Sequence, residues 1–136
     1  MKILKSLVVF LLCILICVSS TACVHSFYFE YDELVQNMEK AEIINLDKNY
    51  TIDTDIEIIS TLTYDETLQL LSDLSRIEYK DTPIGPGVPP SPRGHCIRVW
   101  YSDGHCDIYG FSGTSVAWGE CDKETFNALI EKYISN

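Results

Sequence analysis

The chain has 136 residues, 20 of them acidic against 10 basic, for a formal net charge of −10. That balance excludes nucleic acid as a partner, because displacing phosphate counterions needs a basic footprint, and it disfavours a direct electrostatic grip on anionic lipid headgroups. With 46% hydrophobic residues, a chain of this length supports one compact domain.

The first 22 residues have the layout of a signal peptide. Lys2 and Lys5 precede an unbroken apolar run from Leu7 to Val18, and Ser19-Ser20-Thr21-Ala22 supplies small residues for cleavage. The run is too short to cross a bilayer as a helix, which takes about 20 residues. Removing residues 1–22 takes away two lysines and no acid, so the mature charge falls to −12. Ser20-Thr21-Ala22-Cys23 resembles the lipobox of bacterial lipoproteins, in which a small residue precedes a cysteine that receives diacylglycerol and becomes the new N-terminus. The resemblance implies lipid attachment at Cys23 and a location on the extracytoplasmic face of the cell membrane. Ser20 stands where an aliphatic residue is usual, and conventional cleavage after Ala22 is the alternative.

Residues 23–39 read as an N-terminal segment and 40–136 as a small α+β domain. Phe27-Tyr28-Phe29 either packs on that domain or sits at headgroup level. Tyr31 to Met38 predicts a short helix with Asp32 and Glu33 near its start. Ala41 to Leu46 and Asp55 to Leu62 predict strands. The loop between them, Asp47 to Asp55, spaces oxygen ligands like a calcium loop, but Ile52 and Ile58 stand where that loop needs Gly and Glu, leaving a solvated turn.

Thr63-Tyr-Asp-Glu66 has capping-box spacing and opens a helix whose Thr67, Leu70, Leu71, Leu74 and Ile77 share one side, ending near Glu78 to Lys80. Pro83 to Gly94 then holds all five prolines and predicts a loop of polyproline II character. It is a candidate contact for a protein partner, or it simply limits loop entropy.

Gly94 to Gly110 predicts a β-hairpin turning at Asp103-Gly104. A two-residue type I′ turn there sets Tyr101 opposite Cys106, Val99 opposite Ile108 and Ile97 opposite Gly110. Ile97, Val99, Tyr101, Cys106 and Ile108 then form an apolar face, with Arg98, Trp100, Asp107 and Tyr109 on the other. A three-residue turn would set Cys106 beside Trp100 and Ile108 beside Arg98. Ser115 to Gly119 predicts a further strand with Val116 and Trp118 on one face. Asp122 is placed to cap a last helix carrying Phe126, Leu129, Ile130, Tyr133 and Ile134.

The expected fold is α+β: an antiparallel sheet of about five strands with helices packed on one side. An isoleucine-rich strand, a capped helix, the Tyr101-Ser-Asp-Gly104 hairpin and the Phe126 to Tyr133 helix follow each other in an order that resembles small uncharacterised lipoproteins of Gram-positive bacteria. That resemblance implies no activity.

Chemistry-bearing motifs are sparse. Gly-His-Cys occurs at 94–96 and 104–106, but the hairpin separates His95 from His105 by roughly 24 Å, too far to share a zinc ion. Ser102, Asp103 and His105 are adjacent in sequence, yet a triad is a spatial arrangement and the turn accounts for Asp103. We therefore expect no catalytic residue, metal or cofactor. Three thiols remain if Cys23 is acylated, and the expected register favours a bridge from Cys106 to Cys121 with Cys96 free; all three reduced is the alternative. The function this supports is an exported, lipid-anchored binding or structural module. An inhibitor or immunity-type protein that neutralises a basic enzyme through its acidic surface is the alternative, distinguished by an association rate that falls steeply with salt.

Overall fold

The computed structural model describes residues 24–46, 56–82 and 91–134. Cys23, the Asp47 to Asp55 loop and most of the proline segment lie outside them. The architecture is α+β. In chain order the elements are β1 (Ser26–Phe27), α1 (Tyr31–Val35), β2 (Met38–Leu46), β3 (Glu57–Thr61), α2 (Tyr64–Leu74) and β4 (Tyr79–Asp81), followed by β5 (Gly94–Tyr101), β6 (Cys106–Gly110), β7 (Gly113–Thr114), β8 (Gly119–Cys121) and α3 (Lys123–Ile134). They form a five-stranded antiparallel sheet ordered β3-β2-β5-β6-β7 and a second, three-stranded sheet ordered β1-β4-β8.

All three helices pack on one face of the larger sheet. Leu34 of α1, Leu70, Leu71 and Leu74 of α2, and Phe126 and Ile130 of α3 share one core with Ala41, Ile43, Ile97, Val99 and Tyr109 of the strands. The caps form as their spacing dictates. The Thr63 backbone N–H donates to Glu66 Oε2 at 2.8 Å while the Glu66 N–H donates to Thr63 Oγ1 at 3.3 Å. Asp122 accepts the Thr125 N–H at 2.8 Å and so starts α3. Fully buried Thr67 ties α2 to the sheet, donating to the Thr63 carbonyl and accepting the Ala41 N–H. Asp73 joins the two long helices, accepting from Lys132 Nζ at 2.8 Å and the Tyr133 hydroxyl at 2.7 Å.

Four expectations are corrected. The hairpin register is Trp100 opposite Cys106, Val99 opposite Asp107, Arg98 opposite Ile108 and Ile97 opposite Tyr109. The connection is the three-residue Ser102-Asp103-Gly104: the Gly104 N–H donates to the Tyr101 carbonyl, and only Gly104, at φ +88°, is left-handed. That is a type I turn with a glycine bulge, which needs one positive φ where type I′ needs two. Every residue of β6 thereby changes face, so Tyr109 is in the core and Cys106 and Ile108 lie beside Trp100 and Arg98.

The strand expected at Ser115 to Gly119 does not form. Gly113–Thr114 ends the large sheet and Gly119–Cys121 belongs to the small one, while Val116 and Trp118 between them are half-exposed. Helix α2 stops at Leu74, because Tyr79–Asp81 is taken into the small sheet between β1 and β8.

Finally, the helix expected from Tyr31 to Met38 stops at Val35, and of the two placements open to Phe27-Tyr28-Phe29, Phe27 and Phe29 pack on the domain. Strand β2 starts at Met38, and β1 pairs Phe27 with Tyr79. Phe27 stacks on Tyr79 at 5.7 Å, and Phe29 meets both Tyr79 and Tyr109 edge-on. This aromatic cluster joins the two sheets, and Gly119 makes room for it: a Cβ there would lie 2.6 Å from the Phe27 ring.

Candidate functional site

The face of the large sheet that the helices leave open carries an ion cluster. Glu42, on β2, is almost fully buried and opposite Arg98 on β5. Its Oε2 accepts from Arg98 Nη2 at 2.6 Å, Arg98 Nε at 2.9 Å and Trp100 Nε1 at 2.8 Å, and its Oε1 from Lys40 Nζ at 2.8 Å. Arg98 also lies against the Trp100 ring at 5.1 Å. Burial pushes the Glu42 carboxyl upward, but the donors from Lys40, Trp100 and Arg98 outweigh it and hold it below the usual carboxylate range. A buried carboxylate that accepts from four donors is a structural anion.

The thiols are poor nucleophiles. Burial pushes Cys96 up to about 12 and Cys121 to about 11, and raises Cys106 as well. All three are free thiols. The expected bridge between Cys106 and Cys121 is absent because the strand that would have joined them does not form: Cys106 faces Trp100 in the large sheet, and Cys121 faces Tyr79 in the small one. Cys96 Sγ fits over Gly110 and donates to the Arg93 carbonyl at 3.6 Å. With Ser112 Oγ donating to the Ser91 carbonyl at 3.0 Å, this fastens the last residues of the proline segment to the sheet.

His105 stands at the hairpin tip, stacked on Tyr101 and bonded through Nδ1 to Asp103 Oδ1, with Asp107 3.9 Å from its other nitrogen. It shares a shallow cleft with Glu33, Asn37 and Ser102. Half-exposed and held between carboxylates, the imidazole is a turn component; Ser102 donates its backbone N–H to the Asn37 carbonyl, and no hydrogen bond among the described residues joins its hydroxyl to His105. Among the described residues no group of three His, Cys, Asp or Glu side chains is arranged to hold a metal. Nor is any described helix long and apolar enough to cross a membrane.

A different environment lies at the end of the large sheet where β2 finishes and β5 begins. A cleft of about 470 Å³ is lined by Asn45 and Leu46 from β2, Arg93, Gly94 and His95 from the entry to β5, Phe111 after β6, and Lys123 and Asn127 one turn apart on α3. Among the described residues no carboxylate lines it, whereas Glu78, Asp81, Glu120 and Asp122 line the cleft beside the small sheet. Arg93 is the one residue of the expected proline-loop contact that joins a cleft wall by its charge. The convergence of Arg93, His95 and Lys123 was not readable from their spacing, since 27 residues, with three further strands among them, lie between His95 and Lys123. Glu42 left a fainter signal, a lone acid inside the apolar run Ala41 to Ile44.

No protein-family model, curated protein or solved structure gives a significant match to this chain.

Proposed function

We propose that the protein is exported and held on the extracytoplasmic face of the cell membrane by lipid on Cys23, where its α+β domain acts as a non-catalytic binding module. The signal-peptide layout and Thr21-Ala22-Cys23 support the anchor. The observation that carries the reading is where the anchor would join the fold. Strand β1 starts three residues after Cys23. At that end of the small sheet the Asp81 N–H donates to the His25 carbonyl at 2.8 Å and the Thr82 N–H to the Trp118 carbonyl at 3.4 Å. Val24 and Trp118, 56% and 51% exposed, therefore stand on the side of the domain nearest the anchor. An indole in that position suits the headgroup level.

Membrane fractionation with mass analysis of the mature N-terminus tests the reading. A diacylglycerol adduct on Cys23, release of Cys23→Ala from the membrane, and quenching of Trp118 fluorescence by headgroup-level spin-labelled lipid are the expected results. A Cys23 without added lipid mass, or a Cys23→Ala chain that stays in the membrane fraction, overturns the anchor.

A further inference from the structure

We infer that the cleft at the end of the five-stranded sheet is a binding site for a small doubly charged oxyanion, with Arg93 and Lys123 as its cationic walls. The inference names a ligand class for the binding module and does not depend on the lipid anchor.

Charge pairing carries the argument. Acids outnumber bases two to one in this chain; Lys40 and Arg98 are bound to Glu42 and Lys132 to Asp73, while Arg76 and Lys80 stand among the acids of the cleft beside the small sheet. Arg93 and Lys123 make no ion pair with a carboxylate among the described residues, yet they come from distant parts of the chain to line one cleft. Neither nearby acid pairs with these cations. Glu57 is held behind the wall residue Asn45, accepting from its Nδ2 at 3.1 Å, and Asp122 accepts from Thr125 on the side facing the other cleft. Lys123 is kept at the cleft by Phe111, whose ring centroid is 5.3 Å from the ammonium.

The chemistry of the walls selects the ligand. Arg93 presents a planar fork of donors that matches two oxygens of a phosphate or carboxylate, and Lys123 supplies a compact second charge. His95 and Asn127 add hydrogen-bonding edges, while Phe111 and Leu46 form an apolar floor. Two cations that have no ion-pair partner among the described residues balance two negative charges, so a dianion satisfies the cleft where a single carboxylate leaves one cation unmatched. The volume falls within the range of about 300 to 1,000 Å³ typical of small-molecule sites.

The test is titration of the mature protein, in neutral detergent, with inorganic phosphate and separately with succinate, using sodium chloride at matched ionic strength as the reference. Binding is read from NMR shifts of the Gly94, His95, Phe111 and Asn127 resonances. Saturable shifts with phosphate, succinate or both are expected, and the stronger of the two identifies the phosphate or the carboxylate source. Arg93→Gln and Lys123→Gln should each weaken binding about tenfold, the loss of one charge-assisted contact, and Lys80→Gln, the same charge change beside the small sheet, less than about twofold. Unchanged unfolding midpoints separate loss of binding from loss of fold, since both residues are exposed. Shifts no larger than those with chloride, or equal weakening by Lys80→Gln, overturn the site.

Discussion

The two faces of the five-stranded sheet are built from alternate residues of the same strands, yet they are held by different interactions. Towards the helices, Ala41, Ile43, Ile97, Val99 and Tyr109 meet leucines and aromatics in a core without ion pairs between strands. On the other face an apolar end, Ile44, Leu46 and Cys96 with Ile56 and Ile108, gives way to the Lys40, Glu42, Arg98 and Trp100 cluster. On the first face stability depends on volume and close packing. On the second it depends on one carboxylate keeping all its partners.

The largest expected effect is on the helix face. Ile97 is fully buried between sheet and helices, so Ile97→Ala should lose about 3 kcal/mol of unfolding free energy through lost burial and the cavity left behind. Ile58→Ala on the open face, where the side chain is half-exposed, should lose well under about 1 kcal/mol. Denaturant titration of the pair checks this, and equal losses would remove the distinction between the faces.

Next comes Glu42. Glu42→Gln leaves Arg98 and Lys40 charged beside a neutral amide, and should cost about 2 to 3 kcal/mol near neutral pH. The sign of its pH dependence follows from the lowered carboxyl. In the unfolded chain the group titrates near its ordinary value of 4.5, and in the folded protein below it. Its contribution is therefore full above about pH 5 and is lost as pH falls through the folded value. The stability gap between wild type and Glu42→Gln should narrow on acidification below about pH 4.5 and stay constant from about pH 6 to 8. A gap that widened in acid would show that the carboxylate is not the stabilising form.

How much of this was legible differs between local and long-range features. The Thr63 capping box, the Asp122 cap and the stripes of α2 and α3 are written within a few neighbouring residues, and they form as their spacing implies. The small sheet is not local: β1, β4 and β8 are two or three residues each, drawn from the beginning, middle and end of the chain. Strands that short carry no periodicity, and Gly119 becomes intelligible only once Phe27 is seen against it. The same holds for the cleft, whose cations enter from the proline segment and from the last helix. Glu42 lay between the two cases. An acid inside an apolar run requires a partner, but Arg98 becomes that partner only in the pairing of β2 with β5.

The smallest effect bears on what decides which residues occupy which face. Asp103-Gly104 suggests a two-residue turn, but the strands settle on the register that puts Tyr109 in the core, at 2% exposure, and leaves Ile108 only partly buried. Tyr109 buries more surface than Ile108 and packs edge-on against Phe29, so the pairing that buries it prevails and the turn adopts the three-residue form that fits. Gly104 sits at φ +88°, and a Cβ added there would meet nothing within 4 Å, so Gly104→Ala costs only the left-handed backbone penalty, about 1 kcal/mol. The register should survive, with cross-strand contacts between Trp100 and Cys106 and between Ile97 and Tyr109 intact by NMR. If the substitution instead slipped β6 by one residue, bringing Ile108 opposite Val99, the turn rather than the burial of Tyr109 would be setting the two faces apart.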